Sequence, residues 1–514
     1  MRTISARLWL LAALSGVLQV LPFPIAGPAP LWRRVFCWFC LTPLLWALAN
    51  QKELGAKRAA AVAYLSGVIF YLGNCYWIYP TMHIYGNIPS IASIGILILF
   101  AMYVGLYHAL FGAAFGWLRE RASLGVTLMA APFLWVAVEL ARARITGFPW
   151  DLLGYTQIDN VMLTRIAPVT GVMGISLVVA VVNVLWIVRW KRWVGPLLAA
   201  VCVLLVSAMQ PLMRAELQPQ GHAVLVQDNI SVGAEGGPRE TRDELLASLE
   251  QITERKAAGV LTTNRLILLP EAPTEFIDSD PVFRQSLGEL ALKEHAAVIA
   301  DNASVISNGP GKLPTFYGSA SFFAADGSYQ GRYDKMHLVP FGEYVPYRKI
   351  FFFAGHLLDN VGPFSPGTVR TTFHTGGHNY GVFICYESIF GDEIRELAKN
   401  GADVLVNLSD DGWYGDSSAP WEHLDMVRMR AIENDRWVLR STNTGITTAI
   451  DPYGRVGETL RRHVRDALVA GFGYETKVTF YTEHGDWVGW VCVLFGAGVL
   501  VVVRLRSGKL EAAK

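Results

Sequence analysis

Long apolar runs separated by short polar loops fill the first 210 residues, and one more run appears near the C-terminus. Each run is about 20 residues long, the length that a helix needs to cross a bilayer. The runs occupy roughly 8–26, 31–49, 60–80, 90–118, 124–141, 166–188, 194–210 and 487–503. The pattern predicts a membrane domain of seven transmembrane helices over 1–210 and an eighth transmembrane helix over 487–504. Arg2, Arg7 and Ala26-Gly27 around the first run also fit a signal peptide, but the spans that follow favour a retained helix.

The segment between the seventh and eighth runs has a different pattern, in which short β-rich stretches alternate with helical ones. Strands are predicted near 222–227, 265–269, 297–300, 319–324, 381–384, 403–407, 437–441 and 447–450, and helices near 239–258, 281–295, 391–399 and 420–434. Turn signals lie between them, such as Ala325-Asp326-Gly327-Ser328. This alternation indicates a layered α/β domain with mixed sheets.

Composition agrees with a membrane protein, because 52% of residues are hydrophobic and only 17% are charged. The net charge of +1 and the lack of a basic run argue against a nucleic-acid partner. Of the six cysteines, only Cys385 lies in the polar segment, which therefore cannot form an internal disulfide. Cys37 and Cys40 have the spacing of a redox or metal pair, but they lie in an apolar run without His or acidic neighbours.

The distribution of Lys and Arg in the loops predicts the orientation. With the N-terminus in the cytoplasm, most loop cations fall on the cytoplasmic side, as the positive-inside rule requires. These cations are Lys52, Lys57, Arg58, Arg119, Arg121, Arg189, Lys191, Arg192, Arg504, Arg506 and Lys509. The opposite loops carry fewer, namely Arg33, Arg34, Arg142, Arg144 and Arg165. Residues of about 211–486 are therefore expected outside the cytoplasm, which is the periplasm in a Gram-negative bacterium.

The connection 142–165 is too aromatic for a plain linker, since it contains Phe148-Pro149-Trp150 and Gly154-Tyr155. Trp and Tyr side chains favour the headgroup zone of a bilayer. The connection is expected to be an interfacial arm or an ordinary aromatic belt.

Cys385 ends the apolar stretch of 381–384, which reads as a buried strand. A lone cysteine in such a place is either a small core residue or a nucleophile. Glu271 and Lys335 also follow apolar or aromatic stretches, at which their side chains could project from a sheet edge. Acyl chemistry on a thiol needs a nucleophile, a base and a cation or N–H donor for the oxyanion, and these three residue types can supply them. Their spacing alone forms no motif.

Two longer strings carry a resemblance to a known family. The string 333–346, Tyr-Asp-Lys-Met-His-Leu-Val-Pro-Phe-Gly-Glu-Tyr-Val-Pro, and Cys-Tyr-Glu-Ser at 385–388 resemble the apolipoprotein N-acyltransferases, the membrane-embedded branch of the nitrilase superfamily. The resemblance implies a multi-span α-helical membrane domain plus an α/β nitrilase-like αββα sandwich over about 220–475, on the periplasmic side of the inner membrane. It implies that Glu271 is the base, Lys335 the oxyanion-stabilising lysine and Cys385 the nucleophile.

Further residues match the family's site. Glu343 and Glu387 correspond to two acidic positions, which either orient Lys335 and polarise the pocket or make structural contacts. The Tyr386 backbone N–H is expected to assist Lys335 at the oxyanion. The sequence departs from the family at Asp410, where Asn is common, and at Tyr414, where Phe is common. The first departure leaves the role of Asp410 open.

The resemblance implies a ping-pong reaction through a thioester on Cys385, with no metal or other cofactor. The donor is a glycerophospholipid such as phosphatidylethanolamine, the acceptor is the α-amine of a diacylated apolipoprotein, and the enzyme is expected to be a monomer. Aromatic side chains could dip into lipid and shield the thioester from water, or could belong to the domain core. They are Phe351, Phe352, Phe353, Trp413, Tyr414 and Trp421.

Two other functions remain open at this point. One is a membrane-tethered amidase of the same superfamily, in which water accepts the acyl group. The other is a transporter or receptor that binds without catalysis. Ionisable residues inside the spans would favour transport, and Glu139 is the only clear candidate there, which argues against a conduit.

Overall fold

The structure is a computed structural model. It describes residues 4–51, 53–188, 194–208, 217–232, 242–258, 265–271, 276–344 and 364–512. Within these ranges a bundle of apolar helices carries an α/β domain built on two sheets. The predicted fold class, a helical membrane domain joined to a nitrilase-like sandwich, is confirmed.

The bundle consists of long apolar helices, several of which are interrupted. Its main helices are Ala6–Val20, Thr42–Ala49, Gly55–Asn74, Ser90–Arg121, Leu124–Ala141, Ala167–Leu185, Val194–Ala208 and Trp487–Ala512. Among the described residues, five helical segments are long and apolar enough to cross a membrane, and a sixth arises if Gly55–Asn74 and Ile78–Tyr85, bent by 59°, form one span. Ala6–Val20 is a shorter apolar helix. The chain is thus a multi-span membrane protein, and the division into seven plus one spans stays a prediction.

Small residues allow two of the helices to approach closely. A Cβ added at Gly112, on the helix Ser90–Arg121, would lie 2.5 Å from the backbone oxygen of Ala59 and from Ala63 Cβ on the helix Gly55–Asn74. Without a hydrophobic driving force between helices in lipid, such close backbone contact is a main source of association. These glycine and alanine positions therefore fix how this pair of helices packs.

The α/β domain contains two six-stranded sheets that face each other. The strands are β1 Gly221–Gln227, β2 Arg265–Leu269, β3 Ala297–Ile306, β4 Thr315–Phe323, β5 Tyr329–Asp334, β6 Thr372–Thr375, β7 His378–Ile384, β8 Val404–Ser409, β9 Trp437–Thr442, β10 Thr448–Ile450, β11 Val456–Thr459 and β12 Asp466–Phe472. The first sheet has the order β12-β1-β2-β3-β4-β5, and the second has the order β11-β10-β9-β8-β7-β6. Every strand predicted from the sequence is present, and the edge strands β5, β6, β11 and β12 are additional.

Apolar side chains fill three layers of this domain. Leu225, Leu268 and Val406 belong to a fully buried cluster between the two sheets. Helices Arg242–Ala257 and Pro281–Glu294 cover the outer face of the first sheet, and helices Gly391–Lys399 and Ala419–Asn434 cover that of the second. Because both faces of each sheet are covered, the central strands read as continuous apolar runs. The result is an αββα sandwich.

The connection 142–165 lies between the bundle and the α/β domain and is largely buried. Trp150 is completely buried, and its Nε1 donates to Glu422 Oε2 at 2.7 Å on the helix Ala419–Asn434. At the next span, the backbone N–H of Val172 donates to Glu433 Oε1 at 2.9 Å on the same helix. The connection was expected to be an arm or an aromatic belt in the headgroup zone. Instead, the α/β domain packs on it and covers Trp150.

Glu139, the ionisable residue noted in the spans, is 5% exposed. Its Oε1 accepts hydrogen bonds from Trp135 Nε1 at 3.2 Å and from the Leu153 backbone N–H at 2.8 Å. It therefore ties the end of its own helix to the connection 142–165.

Candidate active site

Glu271, Lys335 and Cys385 converge where strands of the two sheets end. Glu271 follows β2, Lys335 follows β5 directly, and Cys385 follows β7 directly. Lys335 Nζ lies 3.0 Å from Glu271 Oε1. Glu271 also forms a parallel bridge with Thr442 at the end of β9, so it sits where the first sheet meets the second. The structure thus brings together three residues that are far apart in the chain.

Lys335 is a fully buried cation held between two carboxylates. It is 1% exposed, and Nζ donates to Glu343 Oε1 at 2.6 Å as well as to Glu271. Burial alone would lower the pKa of Lys335, but the carboxylates of Glu271 and Glu343 outweigh it and hold that pKa well above its usual value. Glu343 is itself held, because its Oε2 accepts from the Val339 backbone N–H at 2.8 Å. Lys335 therefore stays positively charged in a fixed position.

Glu387 acts on the backbone around the site. Its Oε1 accepts from Tyr333 Oη at 2.7 Å and from the backbone N–H groups of Met336 at 2.8 Å and His337 at 3.2 Å. Its Oε2 accepts from the Ile384 backbone N–H at 2.6 Å. One buried carboxylate thus joins the segment that carries the lysine to the turn that carries the cysteine. The structure places it against backbone and tyrosine donors, whereas the Lys335 ammonium group donates to Glu271 and Glu343.

Cys385 opens a short 3₁₀ helix, Cys385–Ile389, in a left-handed backbone conformation with φ of 47°. For a residue with a Cβ this conformation costs roughly 1–2 kcal/mol, so surrounding contacts must hold it. Burial raises the pKa of the Cys385 thiol well above its usual value; Glu271 raises it further, while Lys335 lowers it. The thiol is therefore neutral at rest and needs a base to become a nucleophile.

Asp410 holds the second oxygen of Glu271. Its backbone N–H donates to Glu271 Oε2 at 2.9 Å, and its own Oδ1 accepts from the Gly412 N–H at 2.9 Å. Burial and the nearby Glu271 raise the pKa of Asp410 well above its usual value. The Asp410 carboxyl is therefore expected to stay neutral, which allows it to lie beside Glu271.

The aromatic side chains predicted to contact lipid or to belong to the core lie in different environments in the structure. Trp413 is 42% exposed, whereas Tyr414 is buried with its ring 5.2 Å from that of Trp77 in the bundle. Trp421 packs, partly buried, against the cluster behind the second sheet, as its alternative role as a core residue would require. Tyr386 is buried, and its hydroxyl lies 3.5 Å from the Gly147 backbone oxygen. Phe351, Phe352 and Phe353 lie outside the described residues.

A buried polar cluster next to the backbone of Cys385 was not predicted from the sequence. Asp411 accepts from His423 Nδ1 at 2.8 Å and from Arg440 Nη2 at 2.6 Å, and all three side chains are fully buried. The one available signal was Arg440 itself, since a charge inside the predicted central strand 437–441 requires a buried partner. Its partners could not be read from the chain.

Comparisons with known proteins extend over both parts of the chain. The profile of the Apolipoprotein N-acyltransferase N-terminal domain matches residues 15–185, and that of the Carbon-nitrogen hydrolase matches residues 225–470. An apolipoprotein N-acyltransferase of Geobacter metallireducens is 33% identical, over 99% of this chain and 97% of its own length. One of Methylococcus capsulatus is 32% identical, over 93% of this chain and 92% of its own length. Among solved structures, Saccharomyces cerevisiae Nit3, a member of branch 10 of the nitrilase superfamily, is similar at a TM-score of 0.38 and 20% identity, covering 51% of this chain and 93% of that one.

Proposed function

The chain belongs to the apolipoprotein N-acyltransferase family, and we propose that it N-acylates lipoproteins through a thioester on Cys385, with Glu271 and Lys335 as catalytic partners. The observation that carries this assignment is the buried Lys335, whose Nζ lies 3.0 Å from Glu271 Oε1 and whose positive charge lowers the pKa of the Cys385 thiol. A base, a cation and a thiol in one place are what acyl transfer through a thioester requires.

In the first half-reaction, Glu271 takes the proton of the Cys385 thiol, and the thiolate attacks the ester carbonyl of a glycerophospholipid. Lys335 and the Tyr386 backbone N–H stabilise the negative charge on the carbonyl oxygen. The ester C–O bond breaks, and protonated Glu271 delivers its proton to the departing lysophospholipid. The acyl chain remains on Cys385 as a thioester.

In the second half-reaction, the α-amine of the N-terminal diacylglyceryl-cysteine attacks the thioester carbonyl. Glu271 takes a proton from the amine as the C–N bond forms, and the C–S bond breaks. The thiolate of Cys385 then recovers a proton from Glu271, which restores the resting enzyme. The product is an N-acylated lipoprotein.

We assign Glu343 and Glu387 supporting roles, as the groups that fix Lys335 and the nucleophile turn. The exposed Trp413 and the aromatic segment 351–353 would contact acyl chains, while Tyr414 and Trp421 are more buried than Trp413. Among the described aromatic residues of this set, Trp413 has a side chain exposed enough to contact a lipid. Its neighbour Tyr414 packs on Trp77 of the bundle. An aromatic side chain at this junction would meet a donor that stays in the bilayer.

The donor is proposed to be phosphatidylethanolamine, and the enzyme a monomer in the bacterial inner membrane with its α/β domain in the periplasm. Two contacts support this orientation. At one end of the bundle, the Ser418 backbone N–H donates to Tyr76 Oη at 3.0 Å, which brings the α/β domain against the helix ends there. At the other end, Arg119 donates to the Ala49 backbone oxygen at 2.9 Å, in the region of the basic loops. Cations favour the cytoplasmic side.

Incubation with phospholipid labelled on an acyl chain tests the proposal. We expect a hydroxylamine-sensitive label on the purified protein, and full labelling of Cys385→Ala would contradict the assignment. Adding a diacylated lipopeptide amine should discharge the label and increase the peptide mass by one acyl chain. Decay of the label at the same rate with and without the amine would instead identify the amidase alternative, in which water is the acceptor.

A further inference from the structure

His423 lies behind the nucleophile, on the helix Ala419–Asn434, and its side chain is fully buried. Its Nδ1 lies 2.8 Å from Asp411 Oδ1, and its Nε2 lies 3.1 Å from the Cys385 backbone oxygen. We infer that His423 is a positioning residue for the acyl transfer: it holds the carbonyl group of the nucleophile and thereby sets the direction of the thiol. This inference rests on the proposed role of Cys385.

The backbone of Cys385 is the part of the site that most needs such a contact. Its φ of 47° is unfavourable for a cysteine, so the turn would relax without a partner that holds it. A carbonyl oxygen can only accept a hydrogen bond, so Nε2 must donate to it. Glu387 holds the residue before the cysteine, through the Ile384 N–H, and His423 holds the cysteine itself.

The imidazole is held from its other side by fixed charges. Asp411 Oδ1 accepts from Nδ1, while Oδ2 accepts from Arg440 Nη2 at 2.6 Å. These two interactions oppose burial and hold the pKa of Asp411 below its usual range, so the carboxylate stays charged. The ring of Trp150 stacks on the imidazole at 5.9 Å and 18°. A residue of the connection 142–165 thus limits how the histidine can move.

Ser388, His423 and Asp411 together have the composition of a serine-hydrolase triad, because His423 Nε2 also contacts Ser388 Oγ. We do not propose Ser388 as a second nucleophile, because the side chains of all three residues are completely buried. The hydrogen-bonded residues Asp411 and His423 therefore act by holding Cys385 in position.

Two substitutions separate the contacts of the ring. In His423→Gln the side-chain amide reaches the position of Nε2, so a donor toward Cys385 is retained. In His423→Asn the amide reaches only the position of Nδ1, so the contact with Asp411 is retained and that with Cys385 is lost. A purely structural role in pairing Asp411 would make the Asn variant the better one, and positioning of Cys385 would make the Gln variant the better one.

The measurement is the single-turnover rate of thioester formation from acyl-labelled phosphatidylethanolamine, with the thermal unfolding midpoint recorded in parallel. We expect His423→Asn to form the thioester about 10- to 100-fold more slowly, at an unchanged KM for phospholipid, because small displacements of a nucleophile cost rates of this size. We expect His423→Gln to stay within about threefold of the wild type. Equal rates in both variants, or a faster Asn variant, would overturn the inference.

Cys385→Ala in the same assay separates this outcome from a failure of the proposed function. If it still acquires the label, the nucleophile is wrong; if it does not and His423→Asn reacts like the wild type, only the positioning role is wrong. Should the histidine variants unfold, Ser388→Ala provides the test. It leaves the contact with Cys385 in place and should react within about threefold of the wild type, whereas a loss above about tenfold would show that Ser388 is the partner that matters.

Discussion

Lys335 Nζ lies closer to Glu343 than to Glu271, at 2.6 Å against 3.0 Å. The two carboxylates therefore have different tasks in the proposed reaction. Glu271 must accept and return protons, while Glu343 keeps the ammonium charged and in place during each proton transfer. If Glu271 were the only partner of Lys335, the buried ammonium group would have no neighbouring negative charge whenever Glu271 holds a proton, and its charged form would be less stable.

Glu343→Gln should lower kcat by about 10- to 100-fold with little change in KM for phospholipid. The amide oxygen still accepts a hydrogen bond from Lys335, but one of the two carboxylate charges that raise the pKa of the lysine is gone. Steady-state kinetics with phosphatidylethanolamine and a lipopeptide would measure this. An unaltered kcat would mean that Glu271 alone sustains the cation.

The charges around Cys385 predict opposite effects on thiol reactivity and on acyl transfer. Glu271 raises the pKa of the thiol and Lys335 lowers it, in addition to the larger effect of burial. In Glu271→Gln the thiol pKa falls, so alkylation by iodoacetamide at pH 8 should become faster, while thioester formation should fall at least about 100-fold for lack of a base.

The wild-type thiol provides the reference for this experiment. Because its pKa is raised, its alkylation rate should increase about tenfold per pH unit through pH 7 to 9 without a plateau. Lys335→Met should raise the thiol pKa further and slow alkylation. If Glu271→Gln were alkylated more slowly than the wild type, the arrangement of charges proposed for the site would be incorrect.

Asp410→Asn should stabilise the protein at neutral and alkaline pH. Burial and Glu271 raise the pKa of Asp410 in the fold, so its neutral form is favoured, and this contribution is lost as the pH rises through the raised pKa. An amide stays neutral throughout. The gain should be about 1–2 kcal/mol at pH 8 and should disappear below about pH 4, where the wild-type carboxyl is protonated in both the folded and the unfolded states.

Unfolding midpoints at pH 5, 7 and 9 would measure the effect. Asp416→Asn is a suitable control, because that side chain is 78% exposed and its loss should change stability by less than about 0.5 kcal/mol. A gain for Asp410→Asn that does not grow with pH would contradict the assignment of a raised pKa.

Arg34→Met should weaken the attachment of the α/β domain to the bundle. The Arg34 guanidinium lies 2.8 Å from Asp159 and 3.1 Å from Asp425. Its removal leaves both carboxylates with Arg428 as their remaining cation, at 2.6 Å and 3.0 Å. Because Arg428 still pairs with both carboxylates, the loss should be smaller than the about 3–5 kcal/mol that breaking a buried ion pair from one side costs. The unfolding midpoint in detergent should fall, and Arg121→Gln, at a partly exposed pair with Glu120, should change stability by less than about 0.5 kcal/mol. Equal effects of the two substitutions would argue against a docking role for Arg34.

Much of the architecture was predictable because its signals are local. Apolar runs of bilayer length identify spanning helices. The β-rich stretch of 265–269 coincides with β2, and that of 403–407 covers four of the six residues of β8. Edge strands such as β11 were missed because they carry few apolar residues, only Val456 in that case. The apolar stretch of β12, over Asp466–Phe472, was also missed, and a lack of apolar residues does not explain that. The positions of Glu271, Lys335 and Cys385 were found from strings of neighbouring residues.

The sequence by itself determined the membrane-spanning character, because apolar runs of bilayer length are a local signal. It determined the sandwich and the three residues proposed for catalysis through a family resemblance that strings of adjacent residues carry. Only the tertiary structure decided which groups hold them. The backbone contacts of Glu387, the burial of the connection 142–165 and the histidine behind Cys385 have no local signature. Arg34 and Asp425 are 391 residues apart in the chain, and a hydrogen bond over such a separation exists only after folding has brought its donor and acceptor together.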